Sequence, residues 1–226
     1  MRETLEYALK WTLAYEGGYS NHKDDPGGAT NKGVTQKVYD AYRRRNGLPV
    51  QSVRLISAND VATIYKSQYW DAVRGDELPA GVDFAIWDFG VNSGPSRAIK
   101  ELQKLLKVKV DGAIGEVTLN AAARRDPVEL IVAICDARLK FCKGLKNWET
   151  FGKGWTRRIV GEMEGVQTTD MGVVDRSVWL ISRDQDVAVP VPVAAPGKAV
   201  KEERASLGQS TQLRADRKST RLNSSH

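Results

Sequence analysis

Apolar residues recur at helical spacing through most of the first 165 positions. Leu5, Leu9 and Leu13 form an i, i+4, i+8 stripe beside Tyr7, Trp11 and Tyr15. They predict a helix over 5–16, with Thr4 as N-cap and Gly17-Gly18 as its stop. Asp25-Pro26-Gly27-Gly28 marks a turn, followed by a short hairpin signal over 29–35. Val38, Ala41 and Tyr42 predict a second helix, ended by Asn46-Gly47. Ser57 to Asp60 resembles a capping box with Asp in place of Glu, opening a helix through Val61, Ile64, Tyr65 and Tyr69. Further helices are expected over 80–90, then from a Ser96 cap through Ile99, Leu102, Leu105 and Leu106. Asp126-Pro127-Val128-Glu129 opens another, ending near Gly144, and a last one covers 154–164. The fold class is mainly α, with a small hairpin and loop region.

The texture changes after Gly165. Residues 166–215 show no clear amphipathic period and include the extended stretch Pro190 to Gly197, so they read as a linker-like tail. Residues 216–226 read as one translated frame of a common sequencing adapter and are set apart from the fold. The net charge of +6 then divides as +2 on 216–226, zero on 166–215 and +4 on 1–165. That excess favours a polyanionic partner, with cell wall and nucleic acid both eligible. Arg43-Arg44-Arg45 is the best nucleic-acid feature, but it reads as a solvated helix face and no nucleic-acid motif accompanies it.

Cys135 and Cys142 lie seven residues apart in a helical segment. That separation is about 10.5 Å of helix rise, beyond the roughly 7 Å a disulfide spans, so both are expected as free, buried thiols. His22 and His226 are too far from them in sequence for a zinc site. No metal and no cofactor are expected.

Candidate chemistry concentrates in Glu16-Gly17-Gly18-Tyr19 and the following Asp24-Asp25-Pro26-Gly27-Gly28-Ala29-Thr30-Asn31-Lys32-Gly33-Val34-Thr35. Glycoside hydrolysis ordinarily needs two carboxyl groups. Glu16 ends an apolar helix, where removal from water and the negative end of the helix dipole both favour its protonated form. Asp25, in a polar loop nine residues on, is the second carboxylate, and Thr30 can orient a water. Tyr19 and Asn31 are candidate substrate-binding residues. The bland readings remain open at this point: Glu16 as a surface acid, Asp25 as a turn former, Tyr19 as core.

This ordered string resembles glycoside hydrolase family 108, the N-acetylmuramidases with Glu-Gly-Gly-Tyr near the N-terminus. The resemblance implies a lysozyme-like helical fold over 5–92 and makes Glu16 the residue required for activity. The spacing is also similar to that of phage-type lysozymes, although Asp25 to Thr30 is five residues where those enzymes have six. Ala98 to Gln103, then Val110-Asp111-Gly112-Ala113-Ile114-Gly115 and Thr118, resemble a predicted peptidoglycan-binding domain. Asp111-Gly112 reads as a tight turn and Thr118 as a cap. The implied organisation is a catalytic domain over 1–92 and a peptidoglycan-binding helical domain over 93–165.

The resemblance implies a lysozyme cleaving the β-1,4 bond between N-acetylmuramic acid and N-acetylglucosamine, with a non-catalytic wall-binding module as the alternative. The expected partner is the peptidoglycan glycan strand, not nucleic acid, and the chain is expected to be a monomer. The first 19 residues lack the pattern of a signal peptide. Synthesis in the cytoplasm is therefore expected, with release to the periplasm or wall through a holin or a secretion apparatus.

Overall fold

A computed structural model of the chain describes residues 3–15, 18–21, 28–161 and 171–184. It is mainly helical with one two-stranded antiparallel sheet. Two compact units divide it, and helix α1 (Glu3–Tyr15) contributes residues up to Leu9 to one and the remainder to the other. Its buried stripe is Leu5, Ala8, Leu9 and Thr12, so the buried face is turned from the all-leucine stripe read in the sequence. Thr4 lies inside the helix rather than capping it.

The smaller unit, whose described residues are 10–15, 18–21 and 28–65, holds strands β1 (Thr30–Asn31) and β2 (Val34–Thr35). Lys32 and Gly33 both have positive φ, as the tight two-residue hairpin turn demands. Helix α2 (Gln36–Arg45) follows at once, with the Thr35 hydroxyl accepting from Val38 N–H as its cap. A single 3-10 turn at Val53–Leu55 leads to α3 (Ala58–Tyr65). Half of the expected capping box forms there: Ser57 accepts from Asp60 N–H at 3.0 Å, while the Asp60 carboxylate turns to Tyr39 and Tyr42 instead.

The larger unit is built on α4 (Val82–Ser93), whose residues Val82 to Asn92 are all buried. A helix covered on every side is a core element. Around it stand α5 (Pro95–Leu105), α7 (Pro127–Lys143) and α9 (Val173–Asp184), with α6 (Glu116–Ala123) and α8 (Trp148–Val160) completing the layer against α7. Asp126 caps α7 as expected, accepting from Glu129 N–H at 2.9 Å. Helix α5 starts at Pro95 behind a Gly94 cap rather than at Ser96, and α8 starts six residues before its expected position.

The core of α4 contains one ion-pair system. Asp88 accepts from Arg138 of α7 at 2.6 Å and from Arg158 of α8 at 2.8 and 3.2 Å, all three side chains being buried. Burial opposes the charge of Asp88, but the two guanidinium groups override it and hold the carboxyl well below the usual carboxylate range.

Helix α9 corrects the reading of 166–215 as a tail over its residues 173–184. Val173, Trp179 and Leu180 are buried, and Trp179 meets Tyr7 edge-on at 5.0 Å. Arg183 lies over the Tyr7 ring and pairs with Glu3. At Gly81, where φ is positive, any Cβ would strike the Ser177 carbonyl, so glycine is required for this approach. The stretch from Pro190 to Gly197 and residues 216–226 lie outside the described residues.

Three outcomes are expected. Asp88→Asn strands two buried arginines and lowers unfolding free energy by about 3–5 kcal/mol in a denaturant titration. Because the folded pKa of Asp88 is below the unfolded value of about 3.9, its contribution is complete above that pH and fades as pH falls further. Wild-type stability therefore drops more steeply below about pH 4 than that of the Asn variant. Trp179→Ala costs about 3–5 kcal/mol in the same titration, whereas an unstructured segment would register no change. Cys135 and Cys142 are free and buried, and burial pushes the Cys135 thiol up to about 12. Neither thiol should react with a disulfide reagent in the native protein at neutral pH, and both should react in denaturant.

Candidate functional site

The motif region is organised by backbone pairing. Helix α1 ends at Tyr15, and Gly18 lies in a bend. Ser20 then pairs antiparallel with Thr30: Ser20 N–H donates to Thr30 O and Thr30 N–H to Ser20 O, both at 2.8 Å. This brings Thr30 opposite a residue only four positions after Glu16. Gln36 N–H donates to Ala29 O at 2.8 Å, tying Ala29 to the start of α2. Glu16 and Asp25 themselves lie outside the described residues.

Thr30 is half-buried, and its hydroxyl donates to Gly28 O at 3.3 Å. That uses its one proton and leaves oxygen lone pairs to accept from another group. Tyr19 is exposed, with the Arg54 guanidinium over its ring at 5.3 Å from the centroid. Such a pairing holds an exposed aromatic face in place without burying it.

Asn31 has a different situation. It is buried, and its amide NH₂ donates to both Val53 O and Arg54 O at 3.1 Å. Both protons are used to fasten the 53–55 turn to the hairpin. Gln36 completes the same brace: its amide donates to Asp40 and to Gln51 O at 2.8 Å and accepts from Val53 N–H at 2.7 Å. Tyr65 donates to Lys32 O at 3.2 Å and steadies the hairpin turn.

Asp60 and Asp40 are the described acids of residues 10–65, and both are engaged. Asp60 accepts from Tyr39 and Tyr42 hydroxyls, each at 3.1 Å. Burial opposes its ionisation, but hydrogen bonds from Ser57, Tyr42 and Tyr39 together hold its carboxyl below the usual value. Burial and the neighbouring carboxylate push the Tyr42 hydroxyl up. An ionised, doubly clamped Asp60 is a structural hub of α2 and α3, unsuited to donating a proton at neutral pH.

Sequence reasoning missed Arg54, Gln36 and this tyrosine–aspartate network. Gln36 carried a usable signal, since it directly follows the hairpin and is the first residue of α2. Arg54 carried none, standing 35 residues after Tyr19 in an unmarked loop.

The second motif folds around one side chain. Gln103 of α5 is buried, and its amide donates to Asp111 at 2.8 Å, to Ala113 O at 2.9 Å and, more weakly, to Thr118 at 3.5 Å. Its carbonyl accepts from Gly112 N–H at 2.8 Å. Asp111-Gly112 is the expected turn, with Gly112 at positive φ. Thr118 does not cap α6 as expected; it is buried inside the helix, whose cap is Gly115. Arg74 pins the start of α6 by pairing with Glu116 at 2.9 Å.

Comparison with known proteins agrees with these two motifs. The model for Glycosyl hydrolase 108 matches residues 9–94, and that for a Predicted Peptidoglycan domain matches residues 97–160. These matches meet near residue 95, whereas packing divides the chain after Leu9 and Tyr65, because α4 and α5 share one core. No curated protein matches the chain. Among solved structures it is similar to Brucella abortus SagA, at 39% identity and a TM-score of 0.66, covering 80% of this chain and 97% of that one. The family model over the motif-bearing segment and this extended likeness show that the chain belongs to glycosyl hydrolase family 108, as a glycoside hydrolase acting on peptidoglycan.

Proposed function

We propose that the chain is an N-acetylmuramidase, a lysozyme that hydrolyses the β-1,4 bond between N-acetylmuramic acid and N-acetylglucosamine. The observation that carries this reading is the Ser20–Thr30 pairing, which holds Thr30 of the motif opposite a residue four positions after Glu16. Of the five acids in residues 10–65, Asp40 and Asp60 are committed to the α2 brace, leaving Glu16, Asp24 and Asp25 of the motif for chemistry. Glu16 is the acid that protonates the glycosidic oxygen, and Asp25 is the carboxylate that faces the developing positive charge or takes a proton from water. Thr30, with its own proton given to Gly28 O, accepts one hydrogen of that water and fixes its direction. This arrangement favours a water-first, inverting course. Tyr19 offers an exposed ring for a sugar face. Asn31 braces the hairpin with both amide protons, so towards a sugar it offers its carbonyl oxygen as an acceptor. On this reading the enzyme works at the periplasm or wall, reached with help from a holin or secretion apparatus.

Mass spectrometry of peptidoglycan digests checks the bond: fragments should carry reducing-end muramic acid, and reducing-end glucosamine would make the enzyme a glucosaminidase. Glu16→Gln should lower the turnover rate by about 10²–10⁴-fold, the usual size of general-acid catalysis. A Glu16→Gln protein that clears walls at the wild-type rate removes Glu16 from the mechanism. The first-formed product should be the α-anomer; a β-anomer would mean retention.

A further inference from the structure

We infer that Arg54 is a specificity residue of this site, recognising a carboxylate on the peptide stem of the wall beside the glycan strand. The inference rests on the muramidase reading for its location and on the geometry below for its chemistry. Arg54 is exposed, and its guanidinium forms no ion pair among the described residues. It is nevertheless held. Asn31 fixes its backbone carbonyl at 3.1 Å, Ser52 accepts from its N–H at 3.3 Å, and Tyr19 lies against its side chain. A cation kept at the surface without a counter-charge among the described residues, with its backbone fixed by two hydrogen bonds and its guanidinium over an aromatic ring, is arranged for a ligand that arrives from outside.

The geometry selects the kind of ligand. The guanidinium carbon lies over the Tyr19 ring at 5.3 Å from its centroid, and no guanidinium N–H donates to another of the described residues. Those donors form a planar fork suited to bidentate capture of a carboxylate. Tyr19 is three residues from Glu16, which puts Arg54 next to the motif that acts on the strand. Muramic acid, one partner of the scissile bond, is also the sugar that bears the peptide stem. An intact stem presents free carboxylates, whereas N-acetylglucosamine presents none. Residues 10–65 carry eight basic and five acidic side chains, so the surrounding charge also favours an anionic ligand.

The test is co-sedimentation with teichoic-acid-free peptidoglycan sacculi, either native or with their carboxylates converted to amides by carbodiimide coupling. Glu16→Gln serves as the parent so that the wall is not consumed, with brief incubation in the cold. Arg54→Ala should weaken binding to native sacculi about tenfold, the lower end for a charge-assisted hydrogen bond at an exposed site. On amidated sacculi parent and variant should bind alike, because the partner group is gone. Arg54→Lys should recover part of the loss, since charge returns without the planar fork. Arg44→Ala, which removes the same charge from the exposed end of α2, should leave the native–amidated difference intact. Equal loss for Arg54→Ala on both walls, or no loss on native wall, overturns the inference. An Arg44→Ala effect as large as that of Arg54→Ala overturns it too, reducing the effect to overall charge. Failure of the muramidase reading shows separately, as wall digestion by the Glu16→Gln parent or as the wrong reducing end.

Discussion

A buried carboxylate with two arginines sets the terms for the larger unit. Asp88 sits on a helix with no solvent-facing side, where an unpaired charge would cost several kcal/mol. Two guanidinium groups from different helices satisfy both of its oxygens. The requirement runs both ways: neither Arg138 nor Arg158 has an exposed route for its charge, so α7 and α8 must place them against α4. Hydrophobic burial alone would let these helices slide along one another; three directional bonds to one carboxylate admit one register. The neighbouring thiols Cys135 and Cys142 are inert consequences of the same dry interior.

The sequence made legible those features that depend on local chemistry. The Asp126-Pro127 start of α7, the hairpin over 29–35 and the tight turn at Gly112 each follow from residues adjacent in the chain. Helix α9 was hidden because its buried positions include Arg176 and Ser177 among Val173, Trp179 and Leu180. Polar residues on the inward face broke the apolar period that marks a helix. At Ser177 it is the backbone carbonyl that makes the close approach to Gly81. Asp88 likewise gave no sign of its partners, which lie 50 and 70 residues away.

At the candidate site the division is similar. The string from Glu16 to Thr35 announced its chemistry through order and spacing, and the Ser20–Thr30 pair joins its two described stretches. What the string could not reveal was the use made of individual polar side chains. Asn31 looked available for a sugar, but the nearest acceptors are the carbonyls of Val53 and Arg54. Its role is thus to bring the 53–55 turn to the hairpin, which in turn sets Arg54 over Tyr19.

The peptidoglycan-binding motif carries the same lesson further. Its most recognisable members, Gln103, Asp111, Gly112 and Thr118, bond to one another. Gln103 is buried, and both ends of its amide are used within the turn. A motif recurs when its residues solve a folding problem as readily as when they hold a ligand, and here the folding problem accounts for each of the four. Side chains that the motif leaves unspecified are free for wall contact as well. Val117, exposed beside the buried Thr118 on α6, is one such position. Sequence resemblance of this kind thus reports the inside of the turn and leaves the outward-facing side chains of the segment unspecified.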